Sequence, residues 1–276
     1  MKEIIKMNLV SGHEFMKLAD VCICMKNFDE KLKLDVKNIF SIDKVDKKKL
    51  EDSGIIFVKT DYIKIFLHRY YKYLKEEIIL ITHNSDFCIE YDMISCLDLP
   101  KIKRWYGQNT KIIHPKLVSI PLGIANPQYP HGNKKLIKEI RDKNFVKENL
   151  LYINFTINTN QSARKRVYDL FKNRPNDCGK NLSQENYLEN LAKSRFCISP
   201  PGNGIDCHRV WECIYLNTIP IVEKDIAFEQ FKELPILFID KWEDINDNFL
   251  LKEYNNIVSK NKDKCYVEFW KKHVNN

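Results

Sequence analysis

Phe196-Cys-Ile-Ser-Pro-Pro-Gly-Asn-Gly-Ile-Asp-Cys-His-Arg-Val-Trp-Glu-Cys-Ile-Tyr-Leu-Asn-Thr-Ile-Pro-Ile-Val222 decides the fold. Its parts read in order as a short apolar strand, a loop with two glycines, a helix, a turn and a second apolar strand, which is the grammar of an α/β unit. Gly202 and Gly204 let a ligand come close to the backbone. The helix that follows offers the N–H groups of its first turn to an anion. At about 100° per residue, His208, Arg209 and Glu212 fall within an arc of ~100° on one face. Val210, Trp211 and Ile214 are left for packing. Arginine beside phosphate and glutamate beside ribose hydroxyls would make a nucleotide site. A tight turn closed by a surface ion pair is the alternative that this segment leaves open.

The same alternation extends outward. In the second half, Leu150–Ile157, Arg195–Ser199, Ile219–Val222 and Pro235–Ile239 read as strands, with Ser162–Lys172 and Cys207–Leu216 as helices. In the first half, Val21–Met25, Ile55–Lys59, Ile78–Thr82 and Leu117–Pro121 are expected strands. Between the second and third of these, Asp61–Glu76 carries apolar residues at 62, 63, 66, 67, 70, 71 and 74, the spacing of an amphipathic crossover helix. Residues 126–148 are polar, hold Pro127, Pro130 and Gly132, and mark an expected junction. The expected organisation is therefore an acceptor-side unit over 1–140, a nucleotide-binding unit over 141–250 and a helical tail over 251–276 that docks back. Ligands of open α/β sheets bind beyond the carboxyl ends of the strands.

Composition sets outer limits. The 276 residues are 44% hydrophobic and 30% charged, with a net charge of +8, which excludes collagenous, coiled-coil and largely disordered chains. The longest stretch without charge, Leu117–Asn133, contains three prolines and is too broken to span a bilayer. Met1–Val10 carries three charges and does not read as a secretory signal. Nine cysteines with no C-x-x-C spacing point away from zinc knuckles and towards a reducing compartment, so a cytoplasmic location is expected. Lysines are scattered, whereas five of the eight arginines (164, 166, 174, 195 and 209) lie in one segment. Arginine is the side chain suited to bidentate phosphate contacts, so an anion site is expected there. Nucleic-acid binding rests on net charge alone and lacks a supporting motif.

The Gly202–Glu212 run, followed by Ile219-Pro-Ile-Val222, resembles the C-terminal signature of the exostosin-type glycosyltransferases. Ile81-Thr-His-Asn-Ser-Asp86, Trp105-Tyr-Gly-Gln-Asn109 and Ile120-Pro-Leu-Gly-Ile124 resemble the N-terminal half of short exostosin-like proteins, many of them from large DNA viruses and bacteria. The resemblance spans residues 80–225 and implies a GT-B-type fold, two Rossmann-like domains with a cleft between them. It implies inverting transfer of a sugar, such as xylose or a hexose, from a UDP-sugar to a glycan hydroxyl. If the source is viral, the location is host cytoplasm. Pro201, Gly202, Asn203, Gly204, Asp206, His208, Arg209 and Glu212 would hold the donor. A non-catalytic nucleotide-sugar or glycan-binding module on the same fold is the competing expectation.

Several residues then acquire candidate roles. No two aspartates stand two apart, so the Asp-x-Asp motif of metal-dependent transferases is absent and no cofactor is expected. Arg164 and Arg166, at the start of a helix after Leu150–Ile157, are candidates to clamp the leaving diphosphate, Arg164 the stronger. His208 and Glu212 are spaced as metal ligands can be, with no third ligand evident. Inversion needs a base at a strand end. Asp86 and His83 are the first candidates, His13 and Glu14 the second, and His131 and His208 weaker ones. Trp105, Tyr106 and Tyr129, expected in irregular segments, are candidate acceptor platforms.

Overall fold

The computed structural model describes residues 8–24, 35–36, 38–175 and 177–275. Met25 at the end of the first expected strand, and residues 1–7 of the Met1–Val10 segment, lie outside the described residues. The chain forms two compact units, Met1–Leu122 with Val267–Asn276, and Gly123–Tyr266.

The first unit is built on β1 (Val21–Cys24), β2 (Ile39–Ser41), β3 (Ile55–Lys59), β4 (Ile78–His83), β5 (Ile102–Gly107) and β6 (Leu117–Ser119). They form one parallel sheet in the order β2-β1-β3-β4-β5-β6, so the chain reverses direction across the sheet between β1 and β3. Its helices are α1 (Gly12–Met16), α2 (Lys47–Glu51), α3 (Ile63–Tyr70) and α4 (Ile94–Leu97). Parallel strands buried on both faces read as unbroken apolar runs, and β3 and β4 do so. Val21, Ile23, Ile56, Val58, Ile78 and Leu80 share one core with Ile63, Phe66 and Tyr70 of α3. The periodic run expected over Asp61–Glu76 holds as α3 only to Tyr70, flanked by 3-10 turns. β5 contains Trp105 and Tyr106, which were expected in an irregular segment. Two exposed charges, Lys103 and Arg104, interrupt its apolar pattern and conceal it.

The second unit holds α5 (Lys134–Asp142), β7 (Asn149–Tyr152), α6 (Gln161–Phe171), α7 (Gln184–Ala192), β8 (Ser194–Ile198), α8 (His208–Tyr215), β9 (Ile219–Glu223), β10 (Leu237–Ile239) and α9 (Asp247–Ile257). Its strands form a parallel sheet in the order β10-β9-β8-β7. Phe196, Ile198, Ile219, Ile221, Leu237 and Ile239 meet Val167 and Phe171 of α6 and Leu250 and Ile257 of α9 in one core. α5 packs on α7 and α8, and this carries the polar junction segment into the second unit. The division accordingly falls at Leu122/Gly123, ahead of the expected 140/141.

The expected 251–276 tail is divided between the units. Most of it up to Tyr266 stays with the second, while α10 (Val267–Asn275) belongs to the first. The Val267 N–H donates to Asn8 O (3.0 Å), and the buried Trp270 ring stands edge-on to Phe15 with centroids 6.0 Å apart. Among the described residues, no helix is long and apolar enough to cross a membrane.

Trp270→Ala should therefore lower stability by about 3–5 kcal/mol, the range for emptying a large aromatic site. Chemical denaturation of the full chain measures it. An unchanged midpoint would show that α10 is not part of the first unit's core.

Candidate functional site

In the second unit, β7 and β8 lie side by side and their carboxyl ends open onto two loops, residues 153–160 and 199–207. Arg164 ties these loops together. It sits in the first turn of α6, whose N-cap Asn160 accepts the Ala163 N–H with its side chain. Its Nε donates to Pro201 O (2.8 Å) and its Nη1 to Thr156 O (2.8 Å). A second tie runs from Asn160 Nδ2 to Gly202 O (2.8 Å). Gly202 sits close against this bracket: a Cβ there would stand 3.2 Å from Arg164 Nη2, so a side chain would press on the guanidinium.

Arg164 is 5% exposed, and these two bonds are to neutral carbonyls rather than to a carboxylate. Burial lowers its guanidinium below the ordinary value, and the like charge of Arg209 adds to that. Arg209, in the first turn of α8, is half-buried and its Nε is buried with no hydrogen-bond partner among the described residues. Burial works against the Arg209 charge too, but Tyr187, Cys207, Cys197 and Glu212 around it outweigh that and hold it above its ordinary value. Two guanidiniums whose charges act on each other, one of them with an unpaired buried donor, have the chemistry that an anion would satisfy.

Glu212 lies one turn further along α8 and is 5% exposed. Tyr187 of α7 donates its hydroxyl to Glu212 Oε2 (2.8 Å). Burial raises the Glu212 carboxyl, opposed by the Tyr187 bond, Arg209 and His131. His208 Nδ1 lies 2.7 Å from Gly123 O, and its ring is 6.1 Å from that of His131, which stacks on the half-exposed Tyr129 at 5.6 Å. Burial, then His208, lowers the His131 imidazole.

Other arginines of the same sequence segment point elsewhere. Arg166 is exposed and bonded to both carboxylate oxygens of Glu243 (2.8 and 3.0 Å). Arg174 pairs with Asp247, and Arg195 lies over the Tyr254 ring. Asp206 turns inward and accepts Trp211 Nε1 on both oxygens (2.8 and 2.9 Å), so it braces α8. Asn203 is exposed and Gly204 is buried, with Gly204 O accepting the Gly202 N–H.

In the first unit, β4 delivers His83 and, beyond it, Asp86. His83 is 1% exposed. Its Nδ1 accepts the Asn84 N–H (2.7 Å), which leaves Nε2 to donate to Pro121 O (3.1 Å). Phe15 packs on the ring at 5.5 Å, and Gly12 lies directly against His83 and Asn84. The two sets of candidate bases, His13 with Glu14 and His83 with Asp86, thus belong to one neighbourhood. His13 is 8% exposed, Glu14 caps into Ser11 and lies 4.0 Å from Lys17, and Asp86 is exposed.

The acceptor-platform expectation is corrected for two residues. Trp105 is fully buried, with Nε1 donating to Thr82 Oγ1 (2.8 Å). Tyr106 is 1% exposed and donates its hydroxyl to His273 O (3.0 Å). Neither offers a ring face, because both lie within the sheet's packed layers. Tyr129 remains open at 50% exposure. Sequence reading missed Tyr187 and Asn160. Asn160 carried a visible signal, an N-cap residue before a helix. Tyr187 carried none, since its partner is 25 residues away.

Residues 142–273 match the family model described as the RXYLT1 C-terminal domain, an interval that includes Arg164, Tyr187 and the whole of Gly202–Glu212. No curated protein matches the chain significantly. Among solved structures, the chain is similar to an α1,3-fucosyltransferase at 12% identity, with 93% of this chain and 90% of that one covered and a TM-score of 0.45. It is likewise similar to an α1,3-fucosyltransferase with GDP-fucose, at 12% identity, the same coverages and a TM-score of 0.46.

Tyr187→Phe should destabilise the fold by about 1–3 kcal/mol, because it strips a buried carboxyl oxygen of its donor. The Tyr187 bond lowers a carboxyl that burial raises, so its loss pushes the folded Glu212 value higher still. The loss of stability should then be smallest in acid, where Glu212 is protonated, and grow as the pH rises through its folded value. Denaturation midpoints at pH 4 and pH 8 check this. An equal loss at both would remove the ionised Glu212 from the account.

Proposed function

We propose that this chain is a glycosyltransferase that moves a sugar from a UDP-sugar to a glycan hydroxyl with inversion at the anomeric carbon and without an essential metal ion. One observation carries the donor assignment: Arg164 is bonded into the Pro201–Gly204 loop, the charge of Arg209 acts on it, and Arg209 has a buried Nε left over. A leaving nucleoside diphosphate gathers negative charge as the glycosidic bond breaks. Fixed cations in a partly dry site stabilise that charge more than water does. The uridine and the identity of the sugar, xylose or a hexose, rest on the exostosin resemblance of the signature segment, as does the division of labour between a donor unit and an acceptor unit. The reducing, cytoplasmic setting rests on the cysteine usage.

In the proposed reaction the acceptor oxygen attacks the anomeric carbon on the face opposite the diphosphate. The new C–O bond forms as the bond to the β-phosphate oxygen breaks. The electron pair leaves with UDP, whose charge the two guanidiniums meet. The acceptor proton goes to a carboxylate, and Asp86 is the candidate best suited to receive it. It is exposed at the carboxyl end of β4, whereas both ring nitrogens of His83 are already engaged with the backbone. His83 then serves as a buttress between Gly12 and Pro121.

Arg209→Ala and Glu212→Ala should each weaken UDP binding in calorimetry by roughly 10- to 100-fold, the worth of a hydrogen bond to a charged group; unchanged affinity in both would remove this segment as the donor site. Asp86→Asn should cut turnover by about 10²–10⁴ with UDP affinity nearly unchanged, and transfer by the unaltered chain should survive excess EDTA. Normal turnover in Asp86→Asn would move the base to His13 or Glu14. UDP binding with no transfer by the unaltered chain would favour the non-catalytic module. Loss of transfer in EDTA, restored by Mn²⁺, would overturn the arginine clamp.

A further inference from the structure

The loop after β4 is tied down on every side except its tip. Ser85 is the hub. Its backbone carbonyl accepts Gln108 Nε2 (2.8 Å), its Oγ accepts the Phe87 N–H (3.1 Å), and its side chain bonds to Asp61, which is paired with Lys59. Two residues past the tip, Ile89 is fully buried. It bonds to the neighbouring chain through Ile89 N–H to Asn109 O (3.0 Å) and Lys111 N–H to Ile89 O (2.8 Å). Its Cδ1 fills the space beside Gly107, only 2.1 Å from where a Cβ would stand. Gln108, which holds Ser85, is itself 2% exposed.

These anchors present two side chains outward, Asp86 and Phe87. Phe87 is 64% exposed, and Tyr91, at the far end of the same loop, is 77% exposed. A single exposed apolar side chain on a mobile surface needs no explanation. Here the ring stands on a backbone that is bonded at Ser85 and anchored at the buried Ile89, directly next to an exposed carboxylate, beyond the carboxyl end of a parallel strand. Less backbone ordering is then left for a ligand to impose. The polar groups close in sequence or bonded to the loop are Ser85, Asp61, Lys59 and Glu90. An exposed ring beside a carboxylate, on a loop that also carries polar side chains, suits a pyranose, which offers one face of C–H bonds and a rim of hydroxyls.

We propose that Phe87 is the acceptor platform: its ring stacks on the C–H face of the acceptor sugar and places a hydroxyl of that sugar at Asp86. This deepens the transferase reading of Asp86 and rests on it. It also replaces Trp105 and Tyr106, whose rings are closed to ligands, with an aromatic residue that is open.

The test uses the full chain, Phe87→Ala and Phe87→Trp, with a panel of methyl β-D-glycosides (xyloside, glucoside, galactoside and N-acetylglucosaminide) as probes. Ligand-observed saturation-transfer NMR reports contact with the protein's aromatic protons. The unaltered chain should saturate ring protons of at least one glycoside, Phe87→Ala should lose that signal, and Phe87→Trp should keep it. By the same assignment, the affinity of that glycoside should fall roughly 10- to 100-fold in Phe87→Ala, as expected for losing a covered aromatic face. Thermal midpoints and UDP affinity should stay unchanged in both variants, since Phe87 is exposed and belongs to the other unit. Signal retained in Phe87→Ala, or no glycoside contacted by the unaltered chain, would overturn the proposal. So would light scattering that shows a dimer dissociated by Phe87→Ala with no glycoside effect, which would make the ring a contact between copies. Failure of UDP to bind any form would overturn the donor reading alone and leave the glycoside result standing.

Discussion

The second unit depends on one side chain acting as a bracket. Arg164 leaves a helix and bonds the carbonyls of Thr156 and Pro201, one from the loop after each of two neighbouring strands. A parallel pair fixes the strands but leaves the loops at their carboxyl ends without ladder bonds, and partly buried carbonyls there gain from donors. Arginine can satisfy two of them and still have N–H groups directed elsewhere. The same bracket brings a positive charge to the place where an open α/β sheet binds its ligand. On the proposed reading, holding the loops and receiving an anion are two uses of one guanidinium.

That arrangement has an electrostatic cost which favours a ligand. Arg164 and Arg209 repel each other in a partly dry setting, and neither forms an ion pair at salt-bridge distance among the described residues. Tyr187, Cys207, Cys197 and Glu212 offset the burial of Arg209, and Glu212 is itself raised by burial and steadied by Tyr187. A diphosphate would relieve the repulsion and pair the buried Nε at once. The first unit shows the opposite design. Its loop after β4 is bonded at Ser85 and Ile89, and exposes a carboxylate and a ring at the tip. One unit offers unpaired positive charge, and the other offers a rigid polar and aromatic edge.

Much of this was legible in the sequence wherever local pattern and tertiary role agree. The apolar runs of β3, β4, β8 and β9 lie where the periodicity put them, because strands buried on both faces leave no other reading. β5 was concealed, since Lys103 and Arg104 interrupt a strand whose remaining residues are buried. The arginine cluster was legible as a composition but not as a place. Arg164 and Arg166 are two residues apart and so leave α6 in different directions, one to the sheet's end and one to Glu243. Aromatic residues misled for a related reason. Trp105 and Phe87 look alike in sequence, and only the layers of the sheet decide that one is covered and the other is not. The division of the tail between α9 and α10 was beyond periodicity, which sees amphipathic helices but not the surfaces that they cover.

The central claim is that the two guanidiniums grip a diphosphate. The most direct measurement is a calorimetric comparison of UDP and uridine on the unaltered chain at fixed ionic strength. The account predicts that UDP binds at least about 100-fold more tightly than uridine, since charge-assisted hydrogen bonds are each worth ~1.5–3 kcal/mol and the diphosphate adds more than one. Equal affinities for the two would contradict it, because binding would then owe nothing to Arg164 and Arg209.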